Sequence, residues 1–250
     1  MILLTFNIIN NNPLQKNGTK LSDVELLEIT HKNTYSILRT LENHDVKSTF
    51  FVEISIAEKS AELLKKIISK GHEIAFYNKG SSVKEIENTK KFVENFIEKS
   101  IRGIRQKDVT ISVDDLKLLE FTYISNIENA NILFPFKRLQ RSTEITEQRG
   151  LSIVPESISP YSQLPYNDFT FQMIPMKYYQ GMVTETLKSE EFVLVYLNTF
   201  QFTENENFNF KIPFYRKYNS GKEMEDKLES FLSWITENEL ATSRMKDYIF

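Results

Sequence analysis

Residues 47–77 read KSTFFVEISIAEKSAELLKKIISKGHEIAFY. Lys47 to Val52 has the length and apolar character of a buried strand. From Ile56 to Lys70 the spacing of Ala57, Leu64, Ile67 and Ile68 gathers the apolar residues near one side of a helix, which Gly71 ends. Glu73 to Tyr77 is a further strand. Two strands separated by a helical segment of this length pair in parallel, through a right-handed crossover.

The same alternation extends in both directions. Upstream, Ile2 to Phe6 reads as a buried strand, and Ser22-Asp23-Val24-Glu25 is a capping box that opens a helix to about Glu42. Val24, Leu27, Leu38 and Leu41 supply that helix's apolar stripe. Downstream, a helix from Val83 to Lys99 carries Ile86, Phe92, Val93 and Phe96, and a short strand covers Ile101 to Ile104. Ser112 with Asp115 caps a short helix to Leu119, and Phe121 to Ser125 is a fifth strand. After a less regular stretch from about Asn126 to Asp168, which includes Ser152 to Pro155, come a segment around Phe169 to Ile174, a helix from Met176 to Lys188, a strand from Phe192 to Leu197 and a C-terminal helix from Lys222 to Glu237.

An open doubly wound sheet and a closed (β/α) barrel both satisfy this order. The first strand is followed by Asn7-Ile8-Ile9-Asn10-Asn11-Asn12, which lacks the glycines of a dinucleotide fingerprint and favours the barrel. No linker or repeat divides the chain, so residues 1–250 are expected to form one domain. Either architecture places chemistry at the C-terminal strand ends, here Asn7 to Asn10, Tyr77 to Ser81, Arg105 to Asp108 and Asn198 to Phe202.

Composition narrows that chemistry. The 250 residues carry 31 Lys and Arg against 34 Asp and Glu, a net charge of -3 that argues against nucleic acid or an anionic membrane as partner. Cysteine is absent, which removes disulfides, thiolate nucleophiles and iron–sulfur clusters, and only three histidines remain for metal chemistry. No run approaches the ~20 apolar residues of a membrane span, and the start of the chain has neither a basic region nor a long apolar core, so a cytoplasmic protein is expected.

Leu3-Leu4-Thr5-Phe6, Lys47-Ser48-Thr49-Phe50-Phe51-Val52, Ala57-Glu58 and Gly71-His72-Glu73-Ile74-Ala75 resemble the polysaccharide deacetylase family of carbohydrate esterases, whose motifs run L-T-F-D, K-A-T-F-F-V, A-E and G-H-E-I-G/A. Ile101-Arg102-Gly103-Ile104-Arg105 is similar to the family's R-G-x-R-x-P segment. Phe192 to Leu197 resembles its late strand, and Pro213-Phe214-Tyr215-Arg216-Lys217-Tyr218-Asn219 resembles the tail of the subgroup linked to exopolysaccharide biosynthesis. The resemblance implies a distorted (β/α)7 barrel. It also implies hydrolysis of an acetyl group on a sugar, with a divalent metal held by an Asp and two His, a second Asp as base and a late His as acid.

On that template this sequence departs at nearly every polar position. The base falls on Asn7, the neighbouring carboxylates on Ile8, Ile9 or Asn10, the two metal histidines on Tyr77 and Ser81, the motif proline on Lys107 and the late His on Asn198; Arg105 is retained. A bound metal lowers the pKa of its water to roughly 7, far below that of bulk water, and an amide cannot act as a general base, so chemistry by the family's route is not expected. His31, His44 and His72 fall away from the strand ends and are expected to be structural. Neither a metal nor another cofactor is expected.

Carboxylate candidates at the rim are Asp108, Asp168 and Glu204, and exposed loop acids are usually just solvated. No Gly-x-Ser-x-Gly elbow is present, and Lys137, Arg138 and Arg141 read as a solvated basic loop. Three readings follow. In the first, a non-catalytic deacetylase-like protein binds a sugar through Asn7, Asn10, Tyr77, Ser81, Arg105 and Asn198, whose amides and hydroxyls can both donate to and accept from sugar hydroxyls. In the second, it is a partner of a polysaccharide-assembly protein, with Ile8 and Tyr77 filling the old cavity. The third is a sugar deacylase with altered chemistry, using Asp108 or Tyr77.

Overall fold

The computed structural model describes residues 1–106, 111–126 and 143–250. Asp108 and the basic trio Lys137, Arg138 and Arg141 lie outside the described residues, as does Lys107. In chain order the first half comprises β1 (Ile2–Ile8), α1 (Asp23–Asn43), β2 (Thr49–Glu53), α2 (Ile54–Ala57), α3 (Ala61–Ser69), β3 (Glu73–Asn78), α4 (Val83–Ile97), β4 (Gly103–Gln106), α5 (Val113–Leu118) and β5 (Tyr123–Asn126). The second half comprises β6 (Thr146–Gln148), β7 (Leu151–Val154), α6 (Asp168–Met173), α7 (Met176–Ser189), β8 (Val193–Asn198), α8 (Phe214–Lys217), α9 (Lys222–Glu237) and α10 (Met245–Ile249).

One eight-stranded sheet runs in the order β6-β7-β5-β4-β3-β2-β1-β8. Its seven strands from β7 to β8 pair in parallel, as the helical crossovers require. The eighth, β6, is antiparallel to β7. Arg149 and Gly150, both with positive φ, form the two-residue turn between them, the geometry that matches hairpin twist. The sheet curls into a barrel-like half shell with helices outside. No ladder joins β7 to β8 among the described residues. The segment after β7 fills that seam instead: Ser157 Oγ accepts the Leu194 N–H at 2.8 Å, and the Tyr196 N–H reaches the Tyr166 carbonyl at 3.1 Å. This is the distortion in the expected (β/α)7 barrel.

Strand alternation separates two interiors. Leu4, Phe6, Phe50, Val52, Ile74, Phe76, Val195 and Leu197 face the helices in the main apolar core. Leu3, Phe51, Ala75, Tyr77, Tyr123 and Leu194 face inward, with Thr5, Asn7, Glu73 and Arg105 buried among the polar residues of the same strands. The end of the chain closes the N-terminal mouth of this inner space. Fully buried Met245 joins the inner cluster, its N–H bonds Thr49 Oγ1 at 2.9 Å, and the Lys246 N–H bonds Glu73 Oε2 at 3.1 Å.

Boundaries differ most from the sequence reading in three places, and β1 and β2 also run past their apolar runs to Ile8 and Glu53. The helix expected over Ile56 to Lys70 is two pieces, α2 and α3, separated by a 3-10 turn at Glu58–Ser60. The strand expected at Ile101 to Ile104 is shifted to Gly103–Gln106, because buried Arg105 and Gln106 continue the ladder past the apolar run. The stretch from about Asn126 to Asp168 contains the β6–β7 hairpin.

Candidate functional site

At the C-terminal strand ends, β1 pairs with β8 so that Asn7 stands opposite Asn198, and β3 pairs with β4 so that Tyr77 stands opposite Arg105. Asn7 is 2% exposed and Arg105 fully buried. A guanidinium withdrawn from water must find acceptors for its five N–H groups. NH1 donates to Asn7 Oδ1 at 2.7 Å, NH1 and NH2 both reach Thr5 Oγ1 at 3.2 Å, and Nε and NH2 reach Ser125 Oγ at 3.1 and 2.9 Å. Its carbon lies 3.8 Å above the centre of the Phe51 ring, within cation–π range. Burial pushes this guanidinium down to about 10, partly offset by the field of Tyr196, Tyr123, Tyr77 and Glu156.

From Arg105 the hydrogen bonds continue in one direction. Asn7 Nδ2 donates to Asn198 Oδ1 at 2.9 Å, and Asn198 Nδ2 donates to Asp168 Oδ2 at 2.6 Å. Asp168 opens α6 and faces Arg216 of α8 at 3.4 Å. Burial raises its carboxyl above the ordinary value, against the pull of Arg216 and Asn198. The centre is thus a chain from guanidinium through two amides to carboxylate. Tyr196, also facing inward, donates to Glu156 beside it; burial first, then Glu156, raises this phenol.

Three of the expected residues, Asn7, Arg105 and Asn198, meet in this chain. Tyr77 is buried in the inner cluster on the adjoining strand pair. Ser81 is partly exposed in the loop after β3, with its N–H held by Asn78 Oδ1 at 2.8 Å. Asn10 is partly exposed over β2: its N–H bonds Glu53 Oε2 at 2.8 Å, and its own side-chain oxygen is buried without a partner. Among the carboxylates weighed from sequence, Asp168 reaches the centre, whereas Glu204 lines cavities outside the inner face. Thr5, Phe51, Ser125, Tyr196 and Glu156 belong to the centre and were not singled out from sequence. The period-two alternation that aligns Thr5 with Asn7 and Tyr196 with Asn198 is the signal that could have found the first and fourth.

The residues at the positions the resemblance gives to a metal do not fit one. Ile8 is aliphatic and packs into the outer core, Tyr77 offers a buried phenol and Ser81 a hydroxyl. No three Asp, Glu or His side chains converge among the described residues. The histidines are elsewhere: His31 meets Ser60 at 3.1 Å, His44 meets Glu229 at 2.7 Å and His72 accepts from the Ser48 N–H at 3.2 Å.

A curled parallel sheet with crossover helices and a polar centre at its C-terminal strand ends defines a barrel of the deacetylase type. Residues 1–113 match the polysaccharide deacetylase family model. The chain superposes on a CE4 family pseudoenzyme from Bacillus anthracis with a TM-score of 0.51 at 11% identity, covering 99% of this chain and 64% of that one. It superposes on a probable polysaccharide deacetylase from Pseudomonas aeruginosa PAO1 with a TM-score of 0.59 at 12% identity, covering 98% and 88%. Puue allantoinase gives 0.58 at 10% identity, covering 98% and 87%. The chain therefore spans less than two thirds of the length of the Bacillus anthracis protein, and at these identities the likeness is one of fold. No curated protein matches the chain.

Proposed function

We propose that the chain is a non-catalytic polysaccharide deacetylase-like protein of surface or exopolysaccharide metabolism, which keeps a saccharide-binding or partner-binding role at the strand C-terminal rim. One observation carries this reading: the guanidinium of Arg105 and the amides of Asn7 and Asn198 satisfy one another and end on Asp168, where the deacetylase mechanism would need free acid, base and metal ligands. Without a metal to generate hydroxide near neutral pH, a water nucleophile is lost. Asn7 cannot take a proton as base, nor can Asn198 supply one as acid.

Saccharide binding is supported by what surrounds the chain. Phe169 and Tyr215 meet edge to face at 6.1 Å, Tyr215 and Phe214 at 5.8 Å, and Arg216 lies over Phe169 at 5.2 Å. Phe214 is 85% exposed, so this aromatic group next to Asp168 offers open faces for sugar rings. The exopolysaccharide assignment rests on the motif at Pro213 to Asn219, and a cytoplasmic location is part of the same reading, tested by cell fractionation. No helix among the described residues is long and apolar enough to cross a membrane.

The deciding experiment combines thermal shift with zinc, cobalt or nickel and acetate release from N-acetylated oligosaccharides. Neither saturable stabilisation nor turnover is expected. Acetate release by the unaltered protein overturns the reading. A CE4 pseudoenzyme mutant with restored activity is known in the Bacillus anthracis case. Accordingly, the combined reversion Asn7→Asp, Ile9→Asp, Tyr77→His, Ser81→His and Asn198→His, with Ile9 chosen because it packs against the inner cluster whereas Ile8 faces the outer core, is expected to create stoichiometric zinc binding. A second reading, a sugar deacylase with a different centre, draws on the partly buried Asp168 carboxyl; it requires turnover that Asp168→Asn abolishes.

A further inference from the structure

Outside the sheet's inner face, α1, residues 202–208 and the start of α9 enclose a cavity of about 520 Å³. A neighbouring cavity of about 450 Å³ shares Glu204, Asn207 and Lys222 with it, so the two form one trough. Each lies within the roughly 300–1,000 Å³ range of small-molecule sites.

The floor is built by a close backbone approach. Gly221 has φ +65, and a Cβ there would stand 3.0 Å from Cγ and 3.1 Å from Cα of Glu204. Its N–H is fixed to the Gln201 carbonyl at 2.8 Å. In that floor Asn205 is 6% exposed; its Nδ2 donates to Ser220 Oγ at 2.8 Å, and its Oδ1 has no partner. Buried polar atoms are nearly always satisfied, so an orphan acceptor under a cavity is a place for a donor from outside the chain. Tyr35 and Tyr218, 46% and 58% exposed as residues, line the two halves.

We infer that this trough is a second ligand site, separate from the rim centre, and that it takes an uncharged oligosaccharide. Four basic and four acidic side chains line it, so it carries no net field to select an anion or a cation. Sugar hydroxyls both donate and accept, which suits an orphan carbonyl oxygen beside Asn207, Glu204 and Lys222. Flat sugar faces suit the two exposed rings.

The test is NMR titration of the full chain with β-1,4-linked N-acetylglucosamine and β-1,4-linked glucose oligosaccharides. Saturable shifts are expected at the Asn205 side-chain amide and at the rings of Tyr35 and Tyr218. Tyr35→Ala and Tyr218→Ala alter exposed rings and leave the fold intact; each is expected to weaken binding roughly three- to tenfold. Absence of saturable shifts with both sugars overturns the trough site. Shifts confined to Ser81 and Asn198 also overturn it while supporting saccharide binding at the rim. Trough shifts with a silent rim uphold it and count against saccharide binding at the rim.

Discussion

Acidification should weaken this fold through His72. The ring is 3% exposed, accepts the Ser48 N–H on Nδ1 and stands edge-on to Phe50 at 5.3 Å. Burial, reinforced by Lys47, Lys70 and Arg244, pushes it from 6.5 down to about 4. The folded ring therefore stays neutral to about pH 4, whereas the unfolded chain takes up the proton below about 6.5. Between those values the unfolded state binds more protons, so stability is fully present above the window and falls as pH falls through it. Integrated from about pH 7.5 to about pH 4.5, the shift costs about 2.5 kcal/mol. Neighbouring Glu73 is raised by burial and acts with the opposite sign, so the total pH dependence does not isolate His72. His72→Gln keeps an acceptor for Ser48 and removes the titration. Urea denaturation of both proteins at the two pH values should show the unaltered protein losing about 2.5 kcal/mol more than the variant. A difference below about 0.5 kcal/mol, or a His72 ring that titrates by NMR near 6.5, refutes the account.

Further tests concern the inner space. Gly103→Ala would put a Cβ 2.0 Å from Cζ of Tyr123, whose hydroxyl bonds Glu73 Oε1 at 2.9 Å; destabilisation of about 3 kcal/mol is expected in chemical denaturation, and a loss below about 1 kcal/mol contradicts the packing described. Met245→Ala should cost about 2–5 kcal/mol and expose the amides bonded to Thr49 and Glu73 to faster hydrogen exchange. Unchanged exchange at Lys246 would mean that the end of the chain does not close the barrel. Asn198→Ala removes the acceptor of Asn7 and a donor to Asp168, and a loss of about 1–3 kcal/mol is expected by thermal or urea unfolding.

Six of the seven parallel strands were legible because each contains an apolar run separated from the next by a helical segment or a long connection, and local pattern and pairing agree there; β7 lay in the stretch read as less regular. Boundaries failed where polar residues are buried. Glu53 ends β2 with its carboxylate held by the Asn10 N–H and Ser55, and Arg105 and Gln106 extend β4, although charge at those places reads as loop. Helix α10 has five residues and almost no local signal; it is held by contacts with Thr49 and Glu73, nearly two hundred residues earlier. At the site, strand ends gave Asn7, Arg105 and Asn198. The link from Asn198 to Asp168 depends on how the connection after β7 crosses the seam, which no periodicity encodes.

The direction of the chain at the centre explains why its two amides depend on each other. A guanidinium only donates and an ionised carboxylate only accepts, so each group between Arg105 and Asp168 must accept on one side and donate on the other. Asn7 and Asn198 both do so. Asn7→Asp alone gives Arg105 a counter-ion at the 2.7 Å position but sets a carboxylate oxygen against Asn198 Oδ1, 2.9 Å away. Rotating the Asn198 amide relieves that contact only by turning its oxygen toward Asp168. Either orientation leaves two acceptors facing. Adding Asp168→Asn removes the conflict, because the rotated Asn198 can then donate to the carboxylate introduced on β1 and accept from the amide introduced on α6. A double-mutant cycle of Asn7→Asp and Asp168→Asn should therefore show favourable coupling of about 1–3 kcal/mol. Additivity within about 0.5 kcal/mol would mean that the amides are not coupled through this chain. With coupling of that size, reversion at Asn7 alone does not rebuild an acid centre, and the replacements at the strand ends behave as one interlocked set.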